Sequence, residues 1–188
     1  MSTSNAVAKL QAAAALWSLD PSDAEAVIRA ACDALALGVD TPSLGMLAAM
    51  SINELTRSGH EIAEVLEAAF EELGVPYLPP GSIAGRDAAV LAMALRVLDH
   101  DISPRALTSW AHSNFGHDLP LAESLAELDD VYDCMPYTDL SPDEIDADVR
   151  AAAEAIVGRF NDEGAGRVPD PCPTHGSTRG RSGTRPGR

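Results

Sequence analysis

The sequence predicts an all-α protein, a single compact bundle of about eight helices, and three observations carry that expectation. Hydrophobic residues make up 46% of the chain but aromatic residues only 4%, so the apolar mass is Ala, Leu, Val and Ile, which suits closely packed helices better than a strand-rich sandwich. Apolar residues recur at helical spacing in segment after segment, whereas no window alternates with period two long enough to argue a strand. Helix start signals, a capping residue followed by proline, recur at Asp20-Pro21, Thr41-Pro42, Ser103-Pro104 and Ser141-Pro142.

The elements follow in order. A first helix is expected from about Asn5 to Leu19, with Val7, Leu10, Ala14 and Trp17 on one stripe. Asp20 and Pro21 open a second, whose stripe of Ala24, Val27, Ile28, Ala31 and Leu35 is closed by Gly38. Thr41-Pro42 starts a short helix through Ala49. Ser51 and Glu54 form a capping box for a long segment to Leu73, which Ser58-Gly59 can kink and Gly74 ends. The prolines at 76, 79 and 80 make Val75 to Gly81 a connector. Helix resumes at about Ile83, with Ala88, Leu91, Ala92, Leu95 and Leu98 on one face. Ser103-Pro104 opens the next, carrying Leu107 and Trp110 and closing at Gly116, and Pro120 opens another toward Tyr132. Ser141, Pro142 and Glu144 combine a proline start with a capping box, and Ile145, Val149, Ala152, Ile156 and Phe160 continue that helix. Residues 1–160 therefore read as one helical domain. Residues 161–188, rich in Gly, Pro, Ser, Thr and Arg, read as a disordered tail that buries too little apolar surface to fold alone.

The placement of this helix order resembles a group of small, uncharacterised, all-helical bacterial proteins. The residues that carry the likeness are Ser43-Leu44-x-x-Leu47-Ala48, the helix end Glu72-Leu73-Gly74, and Ile102-Ser103-Pro104 with Ala106 and Trp110. The resemblance spans roughly residues 20 to 160 and implies a helical fold and a bacterial origin. It implies no reaction and no catalytic residue.

Charge is unevenly distributed. The net charge is −16, and from Ala106 to Val149 eleven carboxylates occur with no Lys or Arg: Asp118, Glu123, Glu127, Asp129, Asp130, Asp133, Asp139, Asp143, Glu144, Asp146 and Asp148. The end of the chain inverts this, with Arg179, Arg181, Arg185 and Arg188 and no acid after Asp170. Such a body repels nucleic-acid phosphates and attracts basic surfaces. The expected function is therefore non-catalytic: binding of a basic protein partner, in the manner of an immunity protein, antitoxin or adaptor. Asp129, Asp130, Asp133, Asp139, Asp143 and Asp146 are the candidate acidic contacts, and Arg179, Arg181 and Arg185 the candidate basic ones. A small enzyme with a pocket near Trp110, His112 and His117 is one alternative. Weak nucleic-acid contact through the arginines of the tail is another.

No residue set reads as catalytic or cofactor-binding. Asp139, Ser141 and Asp143 imitate the start of a calcium loop, but Glu144 stands where glycine is required and Arg150 where the bidentate glutamate belongs. His112 and His117 with Asp118 adjacent, or Cys172 three residues before His175, could hold zinc in principle, but a structural zinc site takes four ligands at paired short spacings and the chain offers a single Cys172-x-x-His175, so no metal is expected. His112 and His117 read as lying at and just past a helix C-terminus, where a cationic imidazole is favoured. Cys32, beside an apolar stripe, reads as core, and three widely spaced cysteines suit a reducing compartment. No run of about twenty apolar residues argues for a membrane helix, and the N-terminus lacks the basic region of a secretory signal. The cytoplasm is the expected location.

Overall fold

The computed structural model describes residues 2–20, 24–50 and 59–165, with side chains described from 61 to 161 in the last span. Eight α-helices and no strand occur among them: α1 (Thr3–Trp17), α2 (Ala24–Ala36), α3 (Pro42–Ala49), α4 (Gly59–Leu73), α5 (Ile83–Leu98), α6 (Pro104–Phe115), α7 (Glu123–Cys134) and α8 (Pro142–Ala165). The all-α expectation is met.

Local chemistry explains most of the boundaries. The side chains of Ser2, Thr41, Ser82 and Ser103 each accept a hydrogen bond from a backbone N–H in the first turn of the following helix, which satisfies one of the donors that a helix start leaves open. At α8 the capping box forms in full: Ser141 Oγ accepts from Glu144 N, while the Glu144 carboxylate accepts from Ser141 N at 2.9 Å and from Ser141 Oγ at 2.8 Å. These hydrogen bonds hold the Glu144 carboxyl below the ordinary glutamate range, with the bond to the Ser141 backbone the largest cause.

Two hydrophobic centres form. Helices α1 to α4 enclose Leu10, Trp17, Val27, Leu44, Leu47, Ile62, Leu66 and Phe70, and α5 to α8 enclose Val90, Val97, Leu107, Leu125, Ile145 and Val149. Helix α1 joins them. It lies against both α2 and α5, and Leu16 and Leu19 at its end pack on the second centre.

The structure departs from the sequence reading in several places. The helix expected from Pro120 begins at Glu123, because Leu119 to Ala122 form a tight turn, Ala122 N–H to Leu119 C=O at 2.9 Å, that buries Leu119, Leu121 and Ala122. Cys32 is exposed rather than core, since the stripe of α2 that faces inward is Ala24, Val27, Ala30, Ala31 and Ala34. Helix α8 continues to Ala165, five residues past the expected domain end. Pro21, the Ser51–Glu54 capping box, Ser58 and the tail from residue 166 lie outside the described residues.

Candidate functional site: a histidine and carboxylate cluster on α6 and α7

Helices α6 and α7 run side by side, and the turn between them decides what meets. Gly116 ends α6 with φ +53° and ψ −131°, a backbone region open to glycine and strained for other residues. Its N–H donates to the His112 carbonyl at 2.8 Å. This turn folds His117 back beside His112, with ring centroids 5.3 Å apart.

Asp129 anchors the cluster from beneath. It is only 7% exposed, and every side of its carboxylate is occupied. Oδ1 accepts from Arg105 Nη1 at 2.8 Å and from Thr108 Oγ1 at 3.1 Å, and Oδ2 lies 3.0 Å from His112 Nδ1. A carboxylate can be buried when its lone pairs are met in this way. Arg105 also reaches Asp133 Oδ1 at 2.6 Å, one turn further along α7, and lies 4.8 Å over the Tyr132 ring. The Tyr132 hydroxyl donates to Asp146 on α8, which also pairs with Arg150 at 3.6 Å. Burial, and then the bond to Asp146, raise the Tyr132 phenol well above its ordinary value, so it stays a donor at any physiological pH.

On the outer side of this anchor stand His117, Asp130 and Glu123. His117 Nδ1 is 3.1 Å from Glu123 Oε1, and His117 Nε2 is 3.3 Å from Asp130 Oδ2. The hydrogen bond to Glu123 is the main reason that the His117 imidazole is held above its ordinary pKa, with the charges of Glu123 and Asp130 adding to it. Asp130 Oδ1 lies 3.7 Å from His112 Nδ1. A ring nitrogen from each histidine and a carboxylate oxygen of Asp130 fall within 4.8 Å of one another.

The candidate acids thus divide. Asp129 is buried and bonded inside the protein, and Asp146 is partly buried against Tyr132 and Arg150, so neither presents a carboxylate to a partner as expected. Asp130, Asp133, Asp139 and Asp143 are exposed. Arg179, Arg181 and Arg185 lie outside the described residues. The acid-only run concealed that a basic residue from just before it, Arg105, neutralises two of its members. The signal that could have found the cluster is the spacing of Asp129 and Asp133, four residues apart on one helix face and opposite an arginine in the first turn of α6.

Trp110 packs edge-on to Phe115 at 5.5 Å and is half buried. The best-formed cavities lie elsewhere. The more apolar one, with a volume of about 270 Å³, sits between α1 and α5 and is lined by Gln11, Ala15, Phe70, Leu91, Leu95 and Phe160 among others. Neither it nor its neighbour near Ile83 and Arg159 includes Trp110, His112 or His117. Among the described residues no helix is long and apolar enough to cross a membrane. No protein-family model, curated protein or solved structure matches this chain.

Proposed function

We propose that the protein acts by binding a basic partner protein through an exposed acidic face made by the outer side of α7, the following connection and the first turn of α8. The observation that supports this reading is what remains after the internal pairs are formed. Asp139 and Asp143 stay exposed and among the described residues have no ion-pair partner, and Asp130, although it pairs with His117, is exposed as well. No Lys or Arg lies between Ala106 and Val149 to offset them. A face of one sign raises the encounter rate with an oppositely charged surface and discourages partners of like charge.

The connection adds something to bind with. Tyr137 is 90% exposed and Leu140 is 45% exposed, which sets an aromatic and an aliphatic side chain among the acids, as at interfaces whose charged rim surrounds an apolar anchor. The anchor of buried Asp129 and half-exposed Arg105 serves this reading by fixing α7 against α6, so the outer acids of α7 are presented on a rigid surface. This is the chemistry of an immunity protein, antitoxin or adaptor that neutralises a basic protein.

The test is affinity capture with the full chain at about 0.1 M salt, followed by elution at about 1 M, which cuts the Debye length from about 10 Å to about 3 Å. The expected result is one basic protein retained at low salt, released at high salt, and lost from the Asp139→Asn, Asp143→Asn double variant. Retention of no specific protein, or retention indifferent to both salt and charge removal, would overturn the reading.

A further inference from the structure

We infer that His112, His117 and Asp130 form a binding site for a divalent first-row transition ion of the zinc class, with an open coordination position toward solvent. This site is independent of the proposed partner binding, although Asp130 belongs to both surfaces.

The donor set comes first. Two imidazoles and one carboxylate are the ligands that zinc, cobalt and nickel ions favour, whereas magnesium and calcium prefer oxygen ligands throughout. Three protein ligands leave a fourth position for water or a small anion, and His117 and Asp130 are both exposed, so the ion would be reachable from solvent.

The geometry comes second. The three ligand atoms lie within 4.8 Å of one another, whereas ligands at about 2.1 Å from a common ion stand about 3.4 Å apart in a tetrahedron. The pair of His117 Nε2 and Asp130 Oδ2, at 3.3 Å, already has that spacing.

The surroundings come third, and they separate this cluster from a chance group of surface acids. Metal-ligating histidines ordinarily pass their other ring nitrogen to a carboxylate that fixes the ring and raises its basicity. Here Glu123 holds His117 Nδ1 at 3.1 Å, leaving Nε2 turned to Asp130, and the buried Asp129 holds His112 Nδ1 at 3.0 Å, so that Nε2 is the His112 nitrogen that would take the ion. Asp129 is itself locked by Arg105 and Thr108. Glu123 and Asp129 are therefore positioning residues, and their carboxylates add negative charge beside a dication. The sequence concealed the site because two histidines five residues apart across a glycine match no short-spaced pair. It is the turn at Gly116 that brings them together.

The experiment is zinc titration of the metal-free full chain by calorimetry, with cobalt absorption in the visible region as a second reading of coordination by nitrogen and oxygen. One zinc per chain is expected in wild type, together with a rise in melting temperature as zinc is added. His117→Ala and Asp130→Asn alter exposed side chains, and each is expected to weaken zinc binding more than about 100-fold, while Glu123→Gln weakens it about 10- to 100-fold. His100→Ala is expected to change nothing. The variants' helical circular dichroism without metal keeps a folding defect distinct from a binding defect. Zinc that binds His117→Ala and Asp130→Asn as tightly as wild type would overturn the proposal. Absence of binding to wild type, or loss of binding only in a Cys172→Ser, His175→Ala variant, would overturn it equally.

Discussion

At the residue scale, polar side chains in this protein repeatedly satisfy helix ends and one another across helices. Glu72, at the end of α4, accepts from Ser43 N at 3.0 Å and from Ser43 Oγ at 2.8 Å, so a carboxylate from one helix caps the first turn of α3, where negative charge is favoured. The Ser43 hydroxyl, followed by the Ser43 backbone N–H, holds the Glu72 carboxyl below its ordinary range. A carboxylate whose pKa is depressed by folding contributes stability that is present above its unfolded pKa and lost as pH falls through its folded one. Wild type should therefore melt higher than Glu72→Gln above about pH 5, with the gap narrowing as the pH falls through and below the ordinary glutamate range. Melting curves of the two proteins across that interval measure it, and a gap that does not change with pH would refute the link. This contact could not be foreseen from the sequence. Glu72 was legible as part of a helix end and Ser43 as part of a helix start, but their separation of 29 residues carries no signal of contact.

Helix boundaries were the most legible feature at the element scale, because they are set by residues within a turn of one another. The starts at Thr41-Pro42, Ser103-Pro104 and Ser141-Pro142, and the stop at Gly116, stand where capping chemistry puts them. The start at Glu123 was missed because Ala122 offers no side-chain cap, so burial of Leu119 and Leu121 sets the boundary. Gly116 carries the most weight of these positions. A Cβ added there would meet nothing within 4 Å, so the cost of substitution lies in the backbone conformation alone. Gly116→Ala should destabilise the fold by about 1–3 kcal/mol, measured by urea unfolding. If the turn relaxes toward an ordinary conformation, His117 moves away from His112 and zinc affinity falls with stability. Unchanged stability would mean that the turn is less demanding than its dihedral angles indicate.

Two centres of packing share one spine at the scale of the whole molecule. Helix α1 sends Leu10, Ala14 and Trp17 into the first centre, while Leu16 and Leu19 pack on the second. Coupling through a shared helix should make the described domain unfold as one unit. Leu66→Ala empties a fully buried site in the first centre and Leu125→Ala one in the second. Each is expected to cost about 2–5 kcal/mol, and each should lower a single transition seen alike by far-ultraviolet circular dichroism and tryptophan fluorescence. Separate transitions would show that α1 does not couple the two halves. The helical stripes made the number of helices readable from the sequence, and an apolar stripe demands burial but does not name the helix that supplies it.

By itself the sequence determined the all-α class, the order of the helices, most of their caps and the acid-only run, because each is written in composition or in contacts within one or two turns. Tertiary structure alone decided which acids face outward, since Arg105 reaches α7 across 24 residues to bury Asp129. It also decided that His112, His117 and Asp130 share one small volume on two helices. The physical reason is that periodicity reports which face of a helix is buried, whereas the partner of that face is fixed only when helices pack and the turns between them set their direction.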